Sequence, residues 1–307
     1  MPKVTIVGAG NVGATAAQLI LIRQLADVVM VDIDGDMAAG KALDMMHMCS
    51  VVNSGMSVAG TSDYAATAGS DVVVITAGLA RRPGMNREDL FVTNSGIMLS
   101  VLRRVVPLSP DAVYICVSNP LNALTFLACK RSGVETRRVI GMGGRLDCAR
   151  LKYAICQKLG CHPSRVEAWV IGNHGQGMLC LPRLSTVDGK ALSSVMEPAD
   201  IEEVCRRATE SGLEVINLLK TGSAFYGPAT GILHMAEAVV RDLHVETTAC
   251  TYLTGEYGVH DMCMNVPVIL GARGVEEVIE LDLNAEELGH LQATAEQVRS
   301  KLALLDL

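Results

Sequence analysis

Residues 8–13 read Gly8-Ala9-Gly10-Asn11-Val12-Gly13, directly after the apolar run at 3–7 and at the start of a helix-compatible segment. The order of strand, glycine turn and helix is what makes this spacing informative. The first glycine permits a tight turn, the second lets backbone approach a pyrophosphate, and the third lets the helix pack closely. The helix N-terminus meanwhile turns unpaired N–H groups toward phosphate. The same six residues also suit a merely tight strand-to-helix turn. The next apolar run, 28–31, ends in Asp32, 19 residues beyond Gly13, where a ribose-binding carboxylate belongs in dinucleotide folds. A carboxylate there accepts from both ribose hydroxyls and repels a 2′-phosphate, so the expected cofactor is NAD rather than NADP. Its plainer role is that of a helix cap at the end of a strand.

Short apolar runs without alternation recur at 3–7, 28–31, 71–75 and 112–117, the pattern of strands buried on both faces. Interleaved with helix-compatible segments, they predict an α/β fold: a Rossmann-type doubly wound parallel sheet over residues 1–144. Beyond it the pattern changes. Helices are predicted over 146–159, 199–219 and 232–241, a strand over 167–171, and a hairpin-like stretch over 178–186 that turns at Val187-Asp188-Gly189-Lys190. β-rich segments follow near 252–258 and 265–271. Together these describe an α+β substrate-binding and catalytic domain over 145–307. In the last helix Asn284 and Glu287 form a capping box, and Leu288, Leu291, Ala295, Val298 and Leu302 make a packing stripe. No low-complexity linker separates the two lobes, which are therefore expected to share an interface.

Half of the 307 residues are apolar and the formal charge is −7, which argues for a packed globular protein without attraction to nucleic acid. Two uncharged stretches, 4–22 and 112–129, approach membrane-span length. Their interiors carry Gly8, Gly10, Asn11, Gly13 and Gln18, and Ser118, Asn119, Pro120 and Asn122, which instead suit strand, turn and helix in succession. No membrane partner is expected. Ten cysteines occur without any C-x-x-C, so reduced thiols in a cytoplasmic protein are expected rather than a disulfide framework or a metal site.

Thr76-Ala77-Gly78 and Val117-Ser118-Asn119-Pro120 follow apolar strands and fall at carboxyl ends, where open α/β sheets hold ligands. Asp147 and Arg150 lie three apart on one helix face, which either a local surface ion pair or a shared site explains. Gly172-Asn173-His174-Gly175 places a histidine in a glycine-flanked loop. Oxidising a hydroxyl-bearing carbon requires a base near neutral pH, which suits histidine. A carboxylate on its other nitrogen fixes the tautomer, and an arginine fork holds a substrate carboxylate. Asp147 and Arg150 suit those two tasks. The loop LARRPGMNR, residues 79–87, adds Arg81, Arg82 and Arg87 around a Pro-Gly hinge suited to closing over a substrate. Arg82 reads as solvated.

In the order GAGNVG, Asp32, LARRPGMNR, SNPLNALT, LDCAR, GNHGQGM, LLKTGSA and VPVILGARGVEEVIEL, the chain resembles the lactate dehydrogenases and lactate-dehydrogenase-like malate dehydrogenases over nearly its whole length. The resemblance implies reversible oxidation of malate to oxaloacetate with NAD. It implies His174 as proton acceptor, Asp147 as its partner, Arg150 as the carboxylate clamp and Arg87 as polariser of the reacting oxygen. It also implies Asn94 and Asn119 near cofactor and substrate, Ser223 near the substrate, and a homodimer or homotetramer, to which the methionine-rich helix 37–48 contributes either interface or core. Arg81 stands where malate-specific members carry Arg and lactate-specific members usually carry Gln. Lactate dehydrogenase and a NAD-binding protein without catalysis are the alternatives. Three departures stand out: Gln176 where the family usually has an acidic residue, Asn122 where NPLD has Asp, and Arg145 before Leu146-Asp147. His47 reads as structural, and Cys148 as a small apolar filler.

Overall fold

The computed structural model describes residues 1–79, 87–175 and 177–302, with the side chains of Arg87 and Glu88 outside that description. The chain opens with β1 (Lys3–Val7), α1 (Asn11–Ile22), β2 (Asp27–Val31), α2 (Gly35–Val52), β3 (Val58–Thr61) and β4 (Val72–Ile75). It continues with α3 (Arg87–Val105), β5 (Val113–Cys116), α4 (Leu121–Arg131) and β6 (Val139–Gly141). These strands lie parallel in the order β3-β2-β1-β4-β5-β6. The valine-rich β4 and β5 are buried at every residue, as strands covered by helices on both faces must be. The order reverses between β1 and β4, which opens a crevice at their carboxyl ends.

The remainder comprises α5 (Gly144–Leu159), β7 (Val166–Glu167), β8 (Val170–Gly172), β9 (Met178–Cys180), β10 (Thr186–Val187) and β11 (Lys190–Ala191). After them come α6 (Pro198–Leu219), α7 (Tyr226–Val240), β12 (Val245–Thr254), β13 (His260–Gly271), β14 (Gly274–Val278) and α8 (Ala285–Leu302). The main sheet continues antiparallel from β6 into β12, β13, β8 and β9, with β14 on β13, while β11, β10 and β7 form a separate small sheet. The parallel sheet of the first half and the α+β character of the second are as expected, whereas their joining in one continuous sheet was not foreseen.

The two uncharged stretches are explained by burial. α1 follows the glycine turn, and α4 buries every residue from Leu121 to Cys129, so its apolarity covers a helix enclosed by protein. No helix among the described residues is long and apolar enough to cross a membrane.

Local expectations fail where pairing is decided at a distance. The expected strand 167–171 divides into β7 and β8, which belong to different sheets: Glu167 pairs with Thr186, whereas Val170 pairs with Cys180. Of the expected arm 178–186, Met178–Cys180 form β9 and Thr186 begins β10 in the other sheet, with no strand between them. Pro182, which lacks a ladder donor, follows, and the Leu184 and Ser185 N–H groups turn back to the Leu181 carbonyl. The turn at Asp188-Gly189 is present, with both residues at positive φ (50° and 73°) between β10 and β11, the geometry of a tight hairpin. β12 begins at Val245, and its chain leaves the ladder at Thr254 for a single turn at Glu256–Gly258. α7 starts at Tyr226, ahead of the expected residue 232. The capping box of α8 is present: the Asn284 N–H donates to Glu287 Oε2 (2.8 Å) and the Glu287 N–H to Asn284 Oδ1 (2.9 Å). Leu291, Ala295, Val298 and Leu302 are buried beneath it.

Candidate active site

At the glycine turn the chain passes from β1 to α1 in a conformation that side chains resist. Gly8 has φ +108°, and a Cβ on Gly13 would lie 1.9 Å from the Gly8 carbonyl oxygen. A Cβ on Gly10 would meet no protein atom within 4 Å, so the second glycine leaves open space where the helix N-terminus faces outward. Asp32 closes β2. Its Oδ2 accepts from the Ala9 N–H (2.7 Å) and its Oδ1 from the Asp34 N–H (3.1 Å). A carboxylate has about four lone-pair sites, so capacity remains for two ribose hydroxyls. Ile33, next in the chain, is fully exposed (100%) and borders a depression with Asp34, Gly35, Asp36 and Ser62. Open backbone, anion-seeking N–H groups and a ribose-side carboxylate fit NAD.

The loops beyond β4 and β5 are braced against this turn. Thr76 Oγ1 donates to the Val7 and Gly8 carbonyls, and Ser118 Oγ to the Ala77 carbonyl (2.6 Å). Buried Asn94 on α3 accepts the Leu79 N–H at Oδ1 (2.8 Å) and donates from Nδ2 to the Leu79 and Asn119 carbonyls. Its donors thus tie the start of the arginine-rich loop to the Asn119 turn, leaving one oxygen lone pair. The Asn119 side chain is exposed and the Asn119-Pro120 peptide is cis. Arg81, Arg82 and Gln176 lie outside the described residues, as does the side chain of Arg87.

α5 and the loop after β8 bring together Asp147, Arg150 and His174. Asp147 is 1% exposed and divides its carboxylate. Oδ2 stands 2.7 Å from His174 Nδ1 and Oδ1 3.2 Å from an Arg150 terminal nitrogen. Both readings of the Asp147–Arg150 spacing therefore hold at once, except that the ion pair is not on the surface. Burial matters because a buried carboxylate must be fully partnered, and this one has two cationic or donating partners. With Nδ1 occupied by Asp147, the Nε2 nitrogen is the one left to a ligand. On α6, a Cβ placed on Gly212 would lie 3.3 Å from the Arg150 guanidinium, so the absence of a side chain there gives the arginine its room.

Cys148 is buried, accepts from the Val170 N–H (3.3 Å), and lies against Thr248 Oγ1 and the Val170 carbonyl. Burial pushes its thiol pKa up, which suits a filler rather than a nucleophile. All ten cysteines are free thiols. Ser223 lies exposed between α6 and α7.

Neither Asn122 nor Asn265 was assigned a site role from the sequence. Asn122 Oδ1 accepts the backbone N–H of His174 (3.0 Å), and Asn265 bonds to Asn122 and Gly172. The signal available was a lone amide within the apolar run Met262–Leu270.

A dinucleotide crevice coupled through residues 119–122 to an imidazole whose Nε2 has no partner among the described residues is the equipment of an NAD-dependent α/β dehydrogenase. Comparison with known proteins specifies the class further. The NAD binding domain of lactate/malate dehydrogenase matches residues 2–141, and the alpha/beta C-terminal domain of that family matches residues 144–305. A malate dehydrogenase of Dehalococcoides mccartyi is 43% identical over 307 residues, covering 100% of both chains. The crystal structure of Cryptosporidium parvum malate dehydrogenase superposes with a TM-score of 0.96 at 37% identity, covering 100% of this chain and 99% of that one. The lactate dehydrogenase of the same organism, complexed with lactic acid and nicotinamide adenine dinucleotide, gives 0.96 at 36% identity over 99% and 98%. The chain belongs to the lactate/malate dehydrogenase family.

Proposed function

We propose that the protein is a malate dehydrogenase that interconverts malate and oxaloacetate with NAD, in the cytoplasm, as a homodimer or homotetramer. The observation that carries the chemistry is the 2.7 Å contact between His174 Nδ1 and the buried Asp147 carboxylate. A carboxylate on Nδ1 favours the tautomer in which Nε2 can accept a proton. In malate oxidation the hydroxyl O–H bond breaks toward His174 Nε2 while the C2–H bond gives up its hydride, and C2–O becomes a carbonyl. When bound, NAD supplies the hydride acceptor. Asp147 stabilises the resulting imidazolium. Arg150 clamps the carboxylate next to the reacting carbon through its planar fork, and Arg87 polarises the reacting oxygen. Gly8 to Gly13, Asp32, Thr76 to Gly78, Asn94 and Val117 to Asn119 bind or frame the cofactor, and Ser223 lies toward the substrate. A division near Gly144 separates cofactor binding from proton transfer.

The choice of malate over lactate rests on Arg81, a cation for the second carboxylate, together with relatives named malate dehydrogenase. An unpaired carboxylate in a dry pocket is costly, and so is an unpaired guanidinium facing pyruvate. NADH oxidation with oxaloacetate and with pyruvate, measured side by side, tests the reading. Faster turnover of oxaloacetate is expected. Faster turnover of pyruvate makes the protein a lactate dehydrogenase, and silence with both leaves a cofactor-binding protein. The assembly is supported by large exposed apolar side chains on α2 (Leu43, Val51) and at the end of α6 (Leu213, Leu218). Light scattering in solution gives the mass, and a monomer would refute it.

A further inference from the structure

Asn122, the second residue of α4, and Asn265, within β13, are 0% and 2% exposed. Amides placed so deeply must be satisfied by protein groups. Asn122 Nδ2 donates to the Gly172 carbonyl (3.3 Å) and the Cys263 carbonyl (3.0 Å). Its Oδ1 accepts from the His174 N–H (3.0 Å) and from Asn265 Nδ2 (3.4 Å). Asn265 Nδ2 also donates to the Gly172 carbonyl (3.0 Å), and Asn265 Oδ1 accepts the Gly144 N–H (2.8 Å). The network fixes the orientation of the Asn122 amide. Turned over, it would oppose NH2 to the His174 N–H and oxygen to two carbonyls.

The backbone groups held in this way belong to the two segments that carry the proton-transfer pair. Gly172 ends β8 two residues before His174, whose own N–H is bound. Gly144 begins α5, with Asp147 and Arg150 in the following turns. The Asp147–His174 hydrogen bond joins those segments at the site, and the two amides join them again behind it through groups that take no part in the chemistry.

We propose that Asn122 and Asn265 act as one positioning unit that holds the His174 loop and the N-terminus of α5 in register for proton transfer. This rests on His174 being the proton acceptor of the dehydrogenase reaction. Both amides are buried and bonded to protein groups.

The test compares wild type with Asn122→Ala, Asn265→Ala and the double variant. In oxaloacetate reduction, each substitution is expected to lower kcat about 10- to 100-fold, as small misplacements of reacting groups do, while NADH affinity stays within about twofold. The double variant is expected to fall no more than about threefold below the worse single, because one unit is being broken twice. Singles with wild-type kcat and only a lower melting temperature would overturn the proposal, and so would losses that multiply in the double variant. If wild type itself turns over neither oxaloacetate nor pyruvate, the activity assignment fails. The nitrogen resonance of His174 Nδ1, which reports its bond to Asp147, then decides independently. Displacement in Asn122→Ala and Asn265→Ala supports the unit, and an unmoved resonance in both overturns it.

Discussion

Replacing Asp147 by Asn preserves volume and removes one charge, so its consequences follow from the geometry. The carboxylate now serves His174 Nδ1 at 2.7 Å and Arg150 at 3.2 Å from separate oxygens. An amide has only one oxygen. Turned toward His174, it opposes its NH2 to the permanently charged guanidinium. Turned toward Arg150, it donates to Nδ1, which forces the imidazole proton onto Nε2 and removes the base. The second orientation avoids placing donor against donor and is expected to dominate. Even in the first, the charge-assisted bond to the imidazolium is lost, worth about 1.5–3 kcal/mol. The wrong tautomer adds to that loss, and a total of about 3–4 kcal/mol corresponds to roughly 10²- to 10³-fold in kcat. The assay is steady-state NADH oxidation with saturating oxaloacetate, alongside NADH binding by fluorescence. Binding is expected to hold within about twofold, because Asp32 and the glycine turn lie on β2 and at the start of α1, away from α5. A variant with kcat within about threefold of wild type would refute Asp147 as the partner that fixes the histidine tautomer.

Three further outcomes are expected. Arg81→Gln should shift the ratio of oxaloacetate to pyruvate turnover by about 10²-fold or more toward pyruvate, the loss of a buried charge partner being worth about 3–5 kcal/mol; an unchanged ratio in the paired assay means that Arg81 does not read the substrate. Gly13→Ala meets a backbone oxygen at 1.9 Å and should lower stability by at least about 1–3 kcal/mol in urea unfolding. Gly10→Ala, whose Cβ meets nothing within 4 Å, should melt like wild type yet bind NADH more weakly, and equal affinity would remove the pyrophosphate from that position. The pKa of His234 is lowered from 6.5 to about 4, first by burial and then by the Arg145 charge. Its folded value lies below the unfolded one, so stability is full above the unfolded pKa and is lost as pH falls toward 4. After discounting for solvent around the ring, the loss is about 1–2 kcal/mol; denaturation at pH 7 and pH 4.5 should show it in wild type and not in His234→Leu, and identical pH slopes would refute it.

The cofactor half was legible because its signals are local. β1, the glycine turn and α1 occupy 20 consecutive residues, Lys3–Ile22, and Gly8 and Gly13 answer to steric conditions set by neighbours in the chain or by the adjoining strand. The α8 capping box is likewise a contact between residues three apart. β3 buries only its first residue and carries a glycine, and β6 has only three residues, so neither shows an apolar run, and Glu167 and Val170, three residues apart, entered different sheets because their partners, Thr186 and Cys180, are chosen by tertiary packing. The roles of His174, Asp147 and Arg150 were suggested by residue type and by resemblance. Their spacing alone left Asp147–Arg150 open between a local ion pair and a shared site, and the burial of the pair shows that it is not a surface contact.

The sequence by itself therefore determined a dinucleotide crevice, a doubly wound sheet and the candidate acid–base residues, because backbone sterics and hydrophobic periodicity act over short stretches. Only the tertiary structure decided that the Asp147 carboxylate is shared between an imidazole and a guanidinium, and that two amides 143 residues apart in the chain close the frame behind them. Those depend on where β8, β13, α4 and α5 come to rest. A buried polar group takes whichever partners that packing brings within about 3 Å, whatever its neighbours in sequence.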